Sequence, residues 1–158
     1  MSSEPKQSLI PLHQNPSLRQ NPSLMQQISI LGCGWLGLPL AEHLIEKGYP
    51  VKGSTTSPNR MGELESKEIE AYIIELSAEH ILGDYQEFLQ NSKILIIDIP
   101  PKLRGKNPVS FVEKMITFIE KGVLNSEIEN VLFISSTTVY GEEAITVTEE
   151  TPEKPETL

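Results

Sequence analysis

Apolar positions along the chain switch repeatedly between two spacings. Residues 28–31 form a short apolar run, too short to be a helix by itself. Leu36, Leu40, Leu44 and Ile45 then recur at helical spacing, with Gly48 as a C-terminal stop and Pro50 just beyond. Residues 51–54 read as a strand, 61–67 as a short helix and 71–76 as another strand. Asp84 is placed to cap a helix over 85–90, and 94–99 is the nearly continuous apolar run of a strand covered on both faces. Asn107 and Pro108 supply an N-cap and a first-turn proline. Val112, Ile116 and Ile119 make the stripe of that helix, flanked by Phe111, Met115 and Phe118, and Gly122 is its expected stop. Residues 131–135 are the last strand. The order βαβαβαβαβ predicts an α/β fold, a doubly wound parallel sheet of about five strands with helices on both faces.

Composition limits this pattern to the middle of the 158 residues. Residues 1–26 are rich in Ser, Gln, Asn and Pro, and QNPSLR at 14–19 returns as QNPSLM at 20–25. Two copies do not make a solenoid, and the stretch reads as a disordered tail. Residues 142–158 are acidic, carry Pro152 and Pro155, and have no apolar face to pack. The ordered domain is therefore expected over 27–141. With 13 Lys and Arg against 22 Asp and Glu, the net charge of -9 argues against a duplex nucleic-acid partner. A single Cys, without CxxC or HxxxH spacing, leaves no structural metal site and no disulfide framework. No apolar stretch is long enough to span a bilayer, and the first residues do not read as a secretory signal. A cytoplasmic protein without a membrane partner is the expectation.

Gly32-Cys33-Gly34-Trp35-Leu36-Gly37 is the sharpest motif. It follows the first strand and opens the first helix, the context in which GxGxxG means dinucleotide binding. Gly32 allows the tight turn, Gly34 lets a pyrophosphate approach the backbone, and Gly37 lets helix and strand sit close. Free N–H groups at the helix start, with Trp35 and Leu36 in the turn, would face the phosphates. Cys33 reads as a small filler and His43 as a solvated side chain. An acid about 20 residues further on would hold the ribose hydroxyls of NAD. That segment carries no acid over 52–60, where Thr55, Ser57, Lys52 and Arg60 would accept a 2′-phosphate. NADP is the expected cofactor, with NAD as the alternative.

The stretch VLFISSTTVYG at 131–141 resembles the extended and atypical short-chain dehydrogenase/reductases. GCGWLGLPLAEHLIEKGYPVKGSTTS at 32–57 and Ile99-Pro100-Pro101 are similar to their NAD(P)-dependent epimerase/dehydratase-like branch. The resemblance implies a Rossmann fold and cofactor contacts from Glu75, Leu76, Ile99 and Pro100. It implies that Ser136 polarises a substrate oxygen. It also implies a YxxxK acid/base pair, yet none of Tyr49, Tyr72, Tyr85 and Tyr140 has Lys at the fourth following position. In the family, the catalytic helix, the sixth strand and the substrate lobe come after the stretch resembling 147–156. The chain is therefore expected to be the cofactor half of an oxidoreductase, epimerase or dehydratase relative. Its substrate is an unidentified small molecule, and it turns over nothing alone. A nucleotide sensor without chemistry is the competing reading. Lys102, Arg104 and Lys106, just past the fourth strand, are candidates to meet an anionic ligand. Uncovered apolar surface beyond the last strand points to homo-oligomers.

Overall fold

The computed structural model describes residues 26–77, 80–99, 108–135, 137–140 and 146–153. Five parallel strands form the main sheet in the order β3-β2-β1-β6-β7. They are β1 (Gln27–Leu31), β2 (Val51–Thr55), β3 (Glu70–Ile73), β6 (Ser92–Ile97) and β7 (Asn130–Phe133). Helices α1 (Gly37–Glu46), α2 (Met61–Glu65), α3 (Tyr85–Leu89) and α4 (Pro108–Leu124) make the crossovers. The chain runs outward from β1 to β3, then returns to the other side of β1 for β6. The carboxyl ends of β1 and β6 therefore flank a topological switch point, where open α/β sheets bind their ligands. This is the doubly wound Rossmann arrangement.

Period-two alternation along each strand divides the core into two layers. Ile28, Ile30, Val51 and Ile96 pack with Ala41 of α1 and Leu64 of α2 on one face. Leu31, Leu95 and Ile97 pack with Phe88 and Leu89 of α3 and Met115 and Ile119 of α4 on the other. All of β2 is buried, although its sequence, VKGST, is the least apolar of the central strands.

Several elements differ from the sequence expectation. The run at 71–76 is two strands, because Leu76 turns away into a small antiparallel pair of β4 (Glu75–Leu76) and β5 (Ile81–Leu82). Gly122 does not stop α4, which continues to Leu124. Its missing side chain serves packing instead, since a Cβ there would lie 2.3 Å from Cε1 of Tyr85. The buried stripe of α4 is Met115 and Ile119, while Ile116 is 46% exposed. Gly48 does end α1, with a φ of 93°. Asp84 precedes α3 without a side-chain capping bond.

Beyond the last helix, β7 is exposed on both faces. Val131, Leu132 and Phe133 are each about half exposed at the sheet edge. Residues 1–25, the Asn107 cap and much of 142–158 lie outside the described residues. Among the described residues, no helix is long and apolar enough to cross a membrane.

Candidate functional site

The glycine turn joins β1 to α1 at the switch point, and each glycine has a different local reason. Gly32 has a φ of 105°, and a Cβ there would fall 2.3 Å from the carbonyl oxygen of Asp98. Its N–H donates to Ser54 Oγ at 2.9 Å, while the Cys33 N–H donates to the Ser54 carbonyl at 2.7 Å. The end of β2 thereby clamps the turn. Gly37 is packed as tightly, because its Cβ would lie 2.1 Å from the Gly32 carbonyl oxygen. Gly34 is the opposite case: among the described residues, its chain neighbours aside, a Cβ there would meet nothing within 4 Å. No described residue demands glycine at 34, so the space above it is open to a ligand on that side.

The start of α1 suits an anion. Leu36 is its N-cap residue, no side chain caps the turn, and the first turn contains no acid of its own. Trp35 projects outward at 89% exposure beside these amides. One carboxylate does reach the turn from across the crevice. Asp98, which follows β6, brings its Oδ2 to 3.1 Å from where a Cβ on Gly37 would lie. Burial raises its pKa, and the nearby Gly37 amide partly opposes that rise.

Cys33 is a filler, as its sequence context suggests. It is 1% exposed, and its sulfur lies 2.6 Å from where a Gly53 Cβ would be, so Gly53 leaves room for it. Burial pushes its thiol pKa up to about 11, which removes the thiolate a redox role needs.

Beyond β2, Thr55 Oγ1 accepts the Ser57 N–H at 3.2 Å, and Ser57 precedes a 3₁₀ turn over Pro58–Arg60. Arg60 folds back from that turn. Its Nη1 donates to the Cys33 carbonyl at 3.0 Å and its Nε to Glu63 Oε2 at 2.9 Å. Arg60 therefore meets the glycine turn, and Thr55 and Ser57 belong to the segment that leads to it. Lys52 does not join them. It sits lower on β2 and is 4% exposed, and its Nζ donates to the carbonyls of Glu87 at 2.7 Å and Gln90 at 3.0 Å. The alternation of β2 turns it toward α3, so its assignment to a 2′-phosphate is wrong.

Glu75 is exposed in β4, while Leu76 is buried in the core beside Tyr85 and Phe88. Ile99 is half-buried at the end of the β6 segment and packs against that core; its Cγ2 would be 2.9 Å from a Gly32 Cβ. Ser136, Pro100, Lys102, Arg104 and Lys106 lie outside the described residues. His43 is solvated, 3.7 Å from Glu46. Among the described residues, no group of three or more His, Cys, Asp or Glu is placed to hold a metal.

Two contributors were not placed at the turn from the sequence: Ser54, read only as a hydroxyl of the 2′-phosphate segment, and Asp98. Asp98 terminates an apolar run, a signal for the carboxyl end of a strand. Its place beside the glycine turn follows only once β6 is known to neighbour β1.

A family profile described as the NAD binding domain of 6-phosphogluconate dehydrogenase matches residues 27–156. The chain belongs to this family of NAD-binding domains. Protein YeeZ of Escherichia coli K12 is 30% identical over 132 residues, 83% of this chain and 48% of that protein. The chain thus spans about half the length of the curated relatives it matches. UDP-N-acetylglucosamine 4-epimerase from Bacillus cereus superposes with a TM-score of 0.58 at 16% identity, over 83% of this chain and 43% of that one. UDP-glucuronic acid 4-epimerase from the same organism, solved in complex with NAD, gives 0.56 at 19% identity, over 84% and 47%. These two likenesses show the fold.

Proposed function

We propose that residues 27–141 hold NADP(H), in preference to NAD(H), for a protein of short-chain dehydrogenase/reductase type related to the nucleotide-sugar epimerases and dehydratases. The observation that carries this is the glycine turn at the switch point. Among the described residues Gly34 opens onto free space there, beside a helix start that its own N-cap residue leaves uncapped and whose first turn contains no acid. The Bacillus cereus UDP-glucuronic acid 4-epimerase holds NAD on the same fold. Gly32, Gly34, Trp35, Leu36 and Gly37 form the pyrophosphate cradle. Glu75, Leu76, Ile99 and Pro100 are the further cofactor contacts that the resemblance implies. The bound cofactor would supply hydride chemistry, and the role of this chain is to seat it.

The NADP preference rests on the segment that carries Thr55, Ser57 and Arg60. The Arg60–Glu63 pair is more than a third exposed on both sides, and such pairs contribute little, about 0.2–1 kcal/mol. A 2′-phosphate therefore competes readily for the guanidinium, which is suited to bidentate contact with phosphate oxygens. Turnover is not expected of this chain alone, because no tyrosine has a lysine four positions on. That same feature favours the second reading, a dinucleotide sensor without chemistry.

Arg60→Ala tests that segment. Calorimetric titration should show a loss of NADPH affinity of about tenfold or more, the scale of a charge-assisted hydrogen bond, with NADH affinity unchanged. Equal losses for both cofactors, or tighter NADH binding by the unaltered chain, would remove the NADP assignment.

A further inference from the structure

The carboxylate of Asp98 stands where a dinucleotide phosphate would bring its own negative charge. It arrives from the end of β6 rather than from α1, and it stands beside the Gly37 amide at the start of that helix. The fit is close. A Cβ on Gly37 would be 3.1 Å from Asp98 Oδ2, and the Asp98 main chain seals the floor under Gly32. The carboxylate is thus fixed against a helix start whose partial positive charge favours it. A pyrophosphate in the cradle would share the same few amides and face a like charge across a partly buried gap.

We infer that Asp98 is a selectivity residue of the dinucleotide site, a built-in anion whose neutralisation accompanies binding, so that the phosphates enter with uptake of a proton. The inference rests on the proposed dinucleotide reading and adds a linkage that the glycine motif alone does not contain.

The surroundings of Asp98 leave the proton few other destinations. From the turn, Cys33 faces this corner as a neutral thiol. From β2, Ser54 contributes a hydroxyl that is already engaged by Gly32. Arg60 is the cation of the corner, on the far side of the turn at the Cys33 carbonyl. α1 brings no acid in its first turn, and its His43 lies in the last turn of the helix. From the sheet side, Ile97 and Ile99 flank Asp98 with apolar groups. Lys102, Arg104 and Lys106 follow in sequence, outside the described residues, and lysine and arginine keep their charge throughout the acid range.

Linkage sets the sign. A ligand that raises the proton affinity of a carboxylate binds the protonated form more tightly. Affinity then falls as pH rises from the pKa of the free protein to that of the complex, and is level above it. The burial of Asp98 already moves its titration upward in the free protein, toward the range in which this is measurable.

The test uses NAD⁺, whose two phosphates keep their charge between about pH 5 and 8 while a 2′-phosphate would not. Affinity is measured across that range for the unaltered chain, Asp98→Asn and the control His43→Gln. Proton uptake by the unaltered chain is read from titrations in buffers of different ionisation enthalpy. Asparagine keeps an oxygen beside the Gly37 amide and loses the charge.

The expected result is affinity that falls with rising pH in the unaltered chain and in His43→Gln, with measurable proton uptake. Asp98→Asn should bind about tenfold more tightly at pH 7, with a flat profile. Equal affinity and equal slopes for the unaltered chain and Asp98→Asn overturn the inference while leaving the dinucleotide reading intact. Weaker binding by Asp98→Asn together with no proton uptake by the unaltered chain overturns it too, and makes Asp98 a hydrogen-bonding ligand. Failure of all three proteins to bind NAD⁺ or NADP⁺ at any pH overturns the dinucleotide reading, and this inference with it.

Discussion

At the scale of single residues, the three motif glycines separate into two that the fold requires and one that it does not. Gly32 needs a left-handed φ, and Gly37 needs the space its missing Cβ leaves at the Gly32 carbonyl. Gly34 is without a positive φ, and among the described residues, its chain neighbours aside, no atom lies within 4 Å of its Cβ position. Replacing Gly37 with Val should therefore unfold or severely destabilise the domain, because backbone at 2.1 Å must move. Gly34→Val should stay within about 0.5 kcal/mol of the unaltered chain, as open surface positions do. Chemical denaturation of both variants checks this, and equal losses would mean that Gly34 too is held by protein packing. The motif was legible because two of its glycines answer steric demands of the strand-to-helix turn itself. Asp98 was not legible, because its role depends on a neighbour 61 positions away in the chain, at Gly37.

At the scale of elements, a buried polar cluster replaces the phosphate role first assigned to Lys52. α3 is only five residues long, and its last carbonyls would be stranded between helix and sheet. Lys52 takes those of Glu87 and Gln90, and Ser29 Oγ takes that of Phe88 at 2.7 Å while pairing with Ser92. The Tyr72 ring lies 5.4 Å from the ammonium and adds a cation–π contact. Lys52→Met keeps the apolar stem and strands the Gln90 carbonyl, at a cost of about 1–3 kcal/mol. Urea unfolding should register that loss, with NADPH affinity unchanged. Intact stability with lost NADPH preference would return Lys52 to the cofactor. The sequence could not distinguish these roles, since a lysine next to Gly53 and Ser54 looks like part of a phosphate loop until the strand face is known. The same limit applies to Gly122. A glycine near the end of a periodic stretch reads as a stop, and only the packing of α4 on Tyr85 shows a close approach instead.

At the scale of the whole molecule, alternation of short apolar runs with helical spacing was enough to give the parallel doubly wound sheet. Each crossover in such a sheet has one favoured hand. The pattern did not show the β4–β5 pair, because two-residue strands carry too few positions to reveal a period. The half-exposed β7 agrees with the uncovered apolar surface expected beyond the last strand, an expectation that came from the family resemblance and not from the pattern. The proposed function rests at this scale on one location, the space over Gly34 between the clamped turn and the start of α1. Calorimetric titration of NADPH into the unaltered chain and into Gly34→Val tests that location most directly. The account predicts one saturable site in the unaltered chain, lost in a variant whose circular dichroism and unfolding midpoint are unchanged. Undiminished NADPH binding by a folded Gly34→Val would contradict it.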